Sequence, residues 1–85
     1  MFDANEIARL IEAKLPCEFI LVEGDDGVHF SAIIVSAEFK GLSRVQQHQR
    51  VYATLGTLLN NEIHALQLQT HTPEKWATIH TGLEQ

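Results

Sequence analysis

The sequence is short of cysteine and of cationic side chains, and each shortage excludes a class of protein. The one cysteine, Cys17, has no partner in the chain for a disulfide, which favours a reducing compartment. The chain has six Lys and Arg residues and eleven Asp and Glu residues, which gives a net charge of −5. Such a chain repels nucleic-acid phosphates unless its cations are grouped, and only Lys40, Arg44 and Arg50 lie close together in the sequence.

Long apolar runs are missing as well. None approaches the roughly 20 residues that a membrane-spanning helix needs. The first ten residues carry acids where a secretory signal peptide carries lysines, so we expect a cytoplasmic protein. A length of 85 residues and a hydrophobic fraction of 45 % predict one globular domain over residues 1–85.

The first half of the chain predicts a helix followed by a β-hairpin. Asp3 and Glu6 have the spacing of a helix N-terminus, and the apolar periodicity after them predicts a helix over 3–15. Residues 17–23 and 28–36 are rich in apolar and β-branched side chains, which is typical of strands. The short Gly-Asp-Asp-Gly turn between them predicts an antiparallel pair.

The second half predicts a helix, a strand and a last helix. Ser43 begins a capping-box spacing, and the apolar periodicity that follows predicts a helix over 44–59 that includes Gly56. Alternation over 62–70 predicts a third strand, and a Thr-Pro pair after it predicts a short helix. This order indicates an α+β fold with a three-stranded sheet, helices packed on one face, and the third strand parallel to a hairpin strand.

Five histidines among 85 residues are the unusual feature of the composition. No two have the H-x-x-x-H spacing, so a self-contained zinc site is not expected, and any bound metal would draw further ligands from a partner. His64 lies on the side of Leu66 and Leu68 in the predicted third strand. It is either a half-buried histidine bonded to the backbone or a ligand. His29, just after the hairpin turn, is either a solvated strand residue or a ligand. The chain also holds three histidines to which we assign no chemical role: His48, His71 and His80.

Enzyme chemistry finds little support in the sequence. The serines lie in no nucleophile-elbow context, Asp25 and Asp26 fit a solvated turn, and Cys17 fits a small buried apolar residue. Residues 24–27 match the GxxG pattern of KH domains. However, they join two predicted strands rather than two helices, and their middle pair is acidic. We therefore expect neither an enzyme nor a KH-type nucleic-acid loop.

The run FKGLSRVQQHQRV at residues 39–51 resembles the motif of the BolA family, roughly F-x-G-x-S-R-x-x-R-H-R-x-V. Further on, residues 63–66 and 72–76 resemble the family's V/I-H-A-L and T-P-x-x-W elements. The resemblance extends over about residues 5 to 80 and is nearest to the bacterial, IbaG-like branch of the family.

This resemblance implies a fold with class II KH-like topology and a non-enzymatic function. Members of the BolA family bind monothiol glutaredoxins and share a [2Fe–2S] cluster with them, in iron–sulfur cluster assembly and stress response. The glutaredoxin cysteine and glutathione supply the thiolate ligands, and the histidine of the V/I-H-A-L element, here His64, supplies an imidazole. The isolated chain would hold no cluster. The resemblance also implies a partner-binding surface formed by Lys40, Ser43, Arg44 and Arg50.

The sequence departs from the family pattern at two places. Asp25 and Asp26 occupy the short hairpin loop where the family often supplies a second His or Cys ligand, so His29 is the nearby substitute. Gln47 replaces the first arginine of the R-H-R element, which weakens a nucleic-acid role for the long helix. A DNA-binding transcriptional regulator that uses the KH-like fold is the alternative interpretation, with contacts from Lys40, Arg44 and Arg50.

Overall fold

The computed structural model describes residues 3–24, 26, 29–58 and 65–84. Within them the helices and strands follow the predicted order. The elements are α1 (Ala4–Lys14), β1 (Phe19–Glu23), β2 (His29–Val35), a 3₁₀ turn (Ala37–Phe39), α2 (Arg44–Leu55), β3 (Ala65–His71) and α3 (Pro73–Glu84). None of the helices in these described ranges is long and apolar enough to cross a membrane.

Side-chain caps fix where the helices begin. The Asp3 carboxylate accepts a hydrogen bond from the backbone N–H three residues on, at 2.8 Å. Ser43 and Gln46 form the predicted capping box, in which each side chain accepts from the other's backbone N–H, at 3.2 and 2.9 Å. Thr72 Oγ1 accepts from a backbone N–H in the first turn of α3 at 3.3 Å. These bonds satisfy N–H groups that have no partner inside the helix, which is why local spacing located the helix starts.

The prediction for α2 is wrong at its C-terminal end. The helix ends at Leu55, and Gly56 is its C-cap with a φ of +59°. Glycine adopts a positive φ at little steric cost, so Gly56 stops the helix instead of weakening its interior. Residue 59, the predicted end, lies outside the described residues.

The strands form one sheet in the order β1–β2–β3. β1 and β2 pair antiparallel, as predicted, with Phe19 opposite Val35. β3 pairs parallel to β2, with His29 opposite Ala65 at one end and Val35 opposite His71 at the other. A parallel neighbour requires a crossover that returns to the same end of the sheet, and the segment with α2 provides it.

Strand bounds differ slightly from the prediction. β1 begins at Phe19 rather than at residue 17, and β3 ends at His71, one residue later than predicted. Residues 25, 27, 28 and 59–64 lie outside the described residues.

The core lies between α1, α2 and one face of the sheet, which is the one-face packing predicted for these helices. Its members are at most 8 % exposed: Ile7, Ile11, Leu15, Phe30, Ala32, Ile34, Phe39, Val51, Leu55 and Leu66. α3 reaches the end of the other face, where its Trp76 stacks on Phe19 with ring centroids 5.3 Å apart.

Gln47 of α2 joins three parts of the chain. Its Nε2 donates to the carbonyl oxygens of Phe39 and Leu42 at 3.4 and 3.0 Å, and its Oε1 accepts from the Thr70 hydroxyl at 2.6 Å. An amide both donates and accepts, whereas the arginine of the family motif only donates. Gln47 therefore has a structural role that depends on its being neutral.

Candidate functional site

His29 lies at the start of β2 with 68 % of its side chain exposed, and Asp26 holds it at two points. Asp26 Oδ1 accepts from the backbone N–H of His29 at 2.8 Å, and Oδ2 lies 2.7 Å from the imidazole Nδ1. An ionised carboxylate only accepts hydrogen bonds, so Nδ1 is a protonated nitrogen in this pair, and in the neutral ring Nε2 keeps its lone pair. The ring therefore offers Nε2 as its ligating atom.

A carboxylate bonded to the second ring nitrogen is the usual support of a metal-binding histidine, because it fixes the tautomer and raises the basicity of the ligand. His29 thus has the chemistry that the predicted second cluster ligand requires. The sequence interpretation missed Asp26, which it assigned to a solvated turn. The available signal was an aspartate in a turn, three residues before a histidine, where its side chain can bond the following backbone.

Gly24 permits the close approach of the hairpin strands beside His29. A Cβ at this position would lie 2.5 Å from the Phe30 ring and 2.6 Å from the His29 carbonyl oxygen, so only glycine fits without rearrangement. Next to it lies a wide, open depression of about 740 Å³ lined in part by Glu23, His29 and Gln67. The depression leaves room for a group that is held mainly by another molecule. Within the described ranges, no set of three or more His, Cys, Asp or Glu side chains could hold a metal ion.

The register of β2 and β3 brings the beginning of β3 to His29. His29 lies opposite Ala65, which directly follows His64 in the chain. The Tyr52 hydroxyl of α2 donates to the Leu66 carbonyl oxygen at 3.2 Å and so fixes the same end of β3. His64 itself lies outside the described residues, and its assignment as a ligand stays a prediction.

Cys17 is a poor candidate for a thiolate ligand or a nucleophile. Burial raises the pKa of its thiol to about 11, and the carboxylates of Glu12 and Glu38 add to this effect. Its Sγ donates to the Leu15 carbonyl oxygen at 3.1 Å. At neutral pH the thiol is protonated, whereas the thiolate is the form that binds metals and attacks electrophiles. This agrees with the sequence interpretation, which gave Cys17 a packing role.

Two of the four residues predicted to bind a partner already have partners within the fold. Ser43 caps α2. The Arg50 guanidinium donates to the Lys14 carbonyl oxygen at 3.0 Å and pairs with Glu38 at 2.8 Å. Lys40 and Arg44 are exposed, and within the described ranges neither forms a salt bridge. The partner-binding surface stays a prediction, and Lys40 and Arg44 are its available cations.

The fold also brings together residues to which sequence reasoning gave no chemical role. His71, at the end of β3, is close to Arg44 of α2 and Lys75 of α3. Burial and the charge of these two cations lower the pKa of its imidazole. Together with His48 of α2, these three residues line one cavity. These residues come from three elements, so no local spacing could have signalled the cluster.

Comparison with known proteins agrees with this architecture. The family model described as "BolA-like protein" matches residues 13–75. The DNA-binding transcriptional regulator BolA of Haemophilus influenzae is 40 % identical, over 82 % of this chain and 81 % of its own length. The acid stress protein IbaG of Escherichia coli is 39 % identical, over 86 % of this chain and 87 % of its own length.

Solved structures give the same result. A bolA protein homologue from Coxiella burnetii has a TM-score of 0.78 at 34 % identity, and the match covers 91 % of this chain and 99 % of that one. The predicted α+β fold is therefore confirmed. Since the family match spans well over half of the sequence, the chain belongs to the BolA family, in its bacterial, IbaG-like branch.

Proposed function

We propose that the protein is a non-enzymatic adaptor that pairs with a monothiol glutaredoxin and shares a [2Fe–2S] cluster with it, for iron–sulfur cluster trafficking or assembly and in stress response. One observation carries the proposal: His29 is oriented by Asp26 at 2.7 Å and lies opposite Ala65, the residue after His64. Family membership supports the kind of partner, and the name of the relative IbaG, an acid stress protein, supports the stress role.

In this proposal the ligands divide by chemistry between the two proteins. His64 and His29 supply neutral imidazole, and the glutaredoxin cysteine and glutathione supply thiolate. Cys17 supplies nothing, because the raised pKa of its thiol keeps it protonated. Imidazole in place of thiolate raises the reduction potential of a [2Fe–2S] centre. A cluster held between two chains is also accessible to a recipient protein, which suits transfer better than storage.

The proposal is tested by anaerobic reconstitution. The protein is mixed with a monothiol glutaredoxin, ferrous iron, a sulfide source and glutathione, and visible absorption and circular dichroism are recorded. We expect a spectrum distinct from that of the glutaredoxin homodimer, with one cluster per heterodimer by iron and sulfide analysis. A glutaredoxin spectrum that does not change on addition of this protein would contradict the proposal.

We expect Asp26→Asn to change the tautomer of His29. The asparagine carbonyl can still accept from the His29 backbone N–H, but its amide would then donate to Nδ1, and the ring proton would move to Nε2. The metal-binding atom would be blocked, and loss of such outer support typically costs about 10–100-fold in affinity. Long-range ¹H–¹⁵N spectra of the imidazoles at pH 8 measure the tautomer directly.

Two further variants make the tautomer measurement specific. In Asp26→Ala, no side chain at position 26 donates a hydrogen bond to Nδ1, so the neutral ring populates both tautomers and Nε2 has its lone pair in one of them. The cluster formed with Asp26→Ala should therefore be less affected than the cluster formed with Asp26→Asn. His48→Gln, which removes an imidazole from α2, should leave the His29 resonances in place. The same His29 tautomer in the wild type and in Asp26→Asn would contradict this role of Asp26.

DNA binding is the second candidate function, because a relative that is 40 % identical bears the name of a DNA-binding transcriptional regulator. Exposed Lys40 and Arg44 could contact phosphates, but Arg50 is engaged with Glu38, and the net charge of −5 opposes the approach. The salt dependence of binding to duplex DNA separates the two functions. If Lys40 and Arg44 each contacted one phosphate, the logarithm of the binding constant would fall with the logarithm of the salt concentration with a slope of only about −2. A steep slope with nanomolar binding at physiological salt would favour the regulator.

A further inference from the structure

A cavity of about 600 Å³ lies at the other end of the sheet from His29, between the beginning of α2, the end of β3 and the beginning of α3. Four of its lining residues carry or can carry positive charge, and they define what we call the basic groove: Arg44, His48, His71 and Lys75. The paired segment of β2 and β3 begins with His29 of β2, opposite Ala65, and ends with His71 of β3, opposite Val35. At about 3.3 Å per residue this separates them by about 20 Å. The basic groove is therefore separate from the proposed cluster site, and Arg44 is the residue that it shares with the predicted partner-binding surface.

The basic groove is electropositive in a protein whose net charge is −5. None of the Asp and Glu side chains in the described part of the chain lines it. Its two permanent cations, Arg44 and Lys75, form no salt bridge with any other residue in the described ranges. They come from different helices, and both lower the pKa of His71, so their charges converge on one place.

Two helix N-termini add to the same field. α2 begins at Arg44 and α3 at Pro73, and both helices are 12 residues long. The N-terminal end of a helix carries partial positive charge. The neutral side chains of the groove, among them Gln69 and Thr72, can donate hydrogen bonds to an oxyanion. Side-chain cations, helix ends and neutral donors therefore all favour the same kind of ligand.

We propose that the basic groove binds the phosphate monoester group of a small molecule. Two permanent cations and two titratable imidazoles match a dianion better than a singly charged carboxylate, and the planar guanidinium of Arg44 can contact two phosphate oxygens at once. The volume of about 600 Å³ lies within the range of small-molecule sites, about 300–1,000 Å³. A nucleic-acid strand would need a longer track of cations, and Arg50 does not extend the groove because it is paired with Glu38.

The test is a titration of the protein with adenosine monophosphate, inorganic phosphate and a single-stranded oligonucleotide, at constant ionic strength set with chloride. Amide and imidazole shifts in ¹H–¹⁵N spectra report binding. We expect adenosine monophosphate to give saturable shifts confined to the basic groove, with weaker binding of inorganic phosphate. The His71 imidazole pKa should rise at saturation, because an anion reverses the effect of Arg44 and Lys75. Among the described residues no carboxylate lines the groove to oppose this rise, and the charged or titratable side chains there besides His71 are Arg44, His48 and Lys75.

Charge-matched variants decide whether the groove or the overall charge is responsible. Arg44→Gln and Lys75→Gln should each weaken binding about tenfold, since charge-assisted hydrogen bonds are among the strong ones. Lys14→Gln removes the same charge from the exposed end of α1 and should leave the affinity unchanged. Equal losses in all three variants, or shifts that do not saturate, would overturn the proposal. Binding of the oligonucleotide alone, with steep salt dependence, would also overturn it and would favour a nucleic-acid surface.

Discussion

Replacing His64 by alanine is expected to abolish the spectrum of the shared cluster while leaving the complex with glutaredoxin intact. An imidazole has to be neutral and correctly placed to ligate iron, and alanine offers no donor in its place. With the imidazole lost, the cluster should return to the glutaredoxin homodimer and show the circular dichroism of that species. His29→Ala should have a smaller effect, a more labile cluster, because the family resemblance makes His64 the principal ligand and His29 a substitute for the second one.

Complex formation and ligation are separated by measuring both on the same samples. Size-exclusion chromatography or calorimetry without iron reports binding of the glutaredoxin, and visible circular dichroism with iron reports the cluster. His48→Gln, which also removes one imidazole, serves as the matched control and should behave like the wild type. A His64→Ala protein with the wild-type cluster spectrum would show that another group is the ligand.

Phe39→Ala should destabilise the fold strongly, by about 3–5 kcal/mol in the free energy of unfolding. The Phe39 side chain is completely buried, and the 3₁₀ turn that carries it joins β2 to α2. Removing the ring leaves a cavity in a core shared by α1, α2 and the sheet. For 85 residues, total stabilities of about 0.05–0.15 kcal/mol per residue are usual, so this variant would lose a large fraction.

Urea unfolding followed by Trp76 fluorescence and by far-ultraviolet circular dichroism measures the loss. Val45→Ala truncates an apolar side chain that is 65 % exposed, and it should change the unfolding free energy by no more than about 0.5 kcal/mol. If Phe39→Ala does not fold, Phe39→Leu should still lose about 1 kcal/mol, since it nearly fills the site. A loss below 1 kcal/mol in Phe39→Ala would contradict the role given to this ring.

The features of the fold that could be predicted from the sequence are those formed by residues close together in the chain. The capping box at Ser43 and Gln46 involves residues three apart, and the hairpin follows from two apolar runs around a turn. The bond from Arg50 to the Lys14 carbonyl oxygen crosses 36 positions and has no local signal. Such bonds depend on how the helices pack, so the sequence interpretation, which placed Arg50 on a partner-binding surface, did not include this one.

The candidate site shows the same division. The family resemblance pointed to His29 and His64, but it did not include Asp26, whose carboxylate lies 2.7 Å from Nδ1 of His29. The basic groove could not be predicted from the sequence because its residues are far apart in the chain. Its cations, Arg44 and Lys75, are 31 positions apart in the sequence and meet only because β3 returns beside β2, parallel to it.

The raised pKa of the Cys17 thiol bears on when the protein can acquire a cluster in the cell. A chain whose one thiol stays protonated at neutral pH is slow to oxidise and offers iron no sulfur ligand of its own. Free iron would therefore not assemble a cluster on the lone protein, and air would not readily crosslink two copies of it. Under the proposed function, loading is conditional: the protein becomes a carrier only after it has met the molecule that brings the thiolates. Supply of that molecule, rather than supply of iron, would then decide how much of the protein is in use.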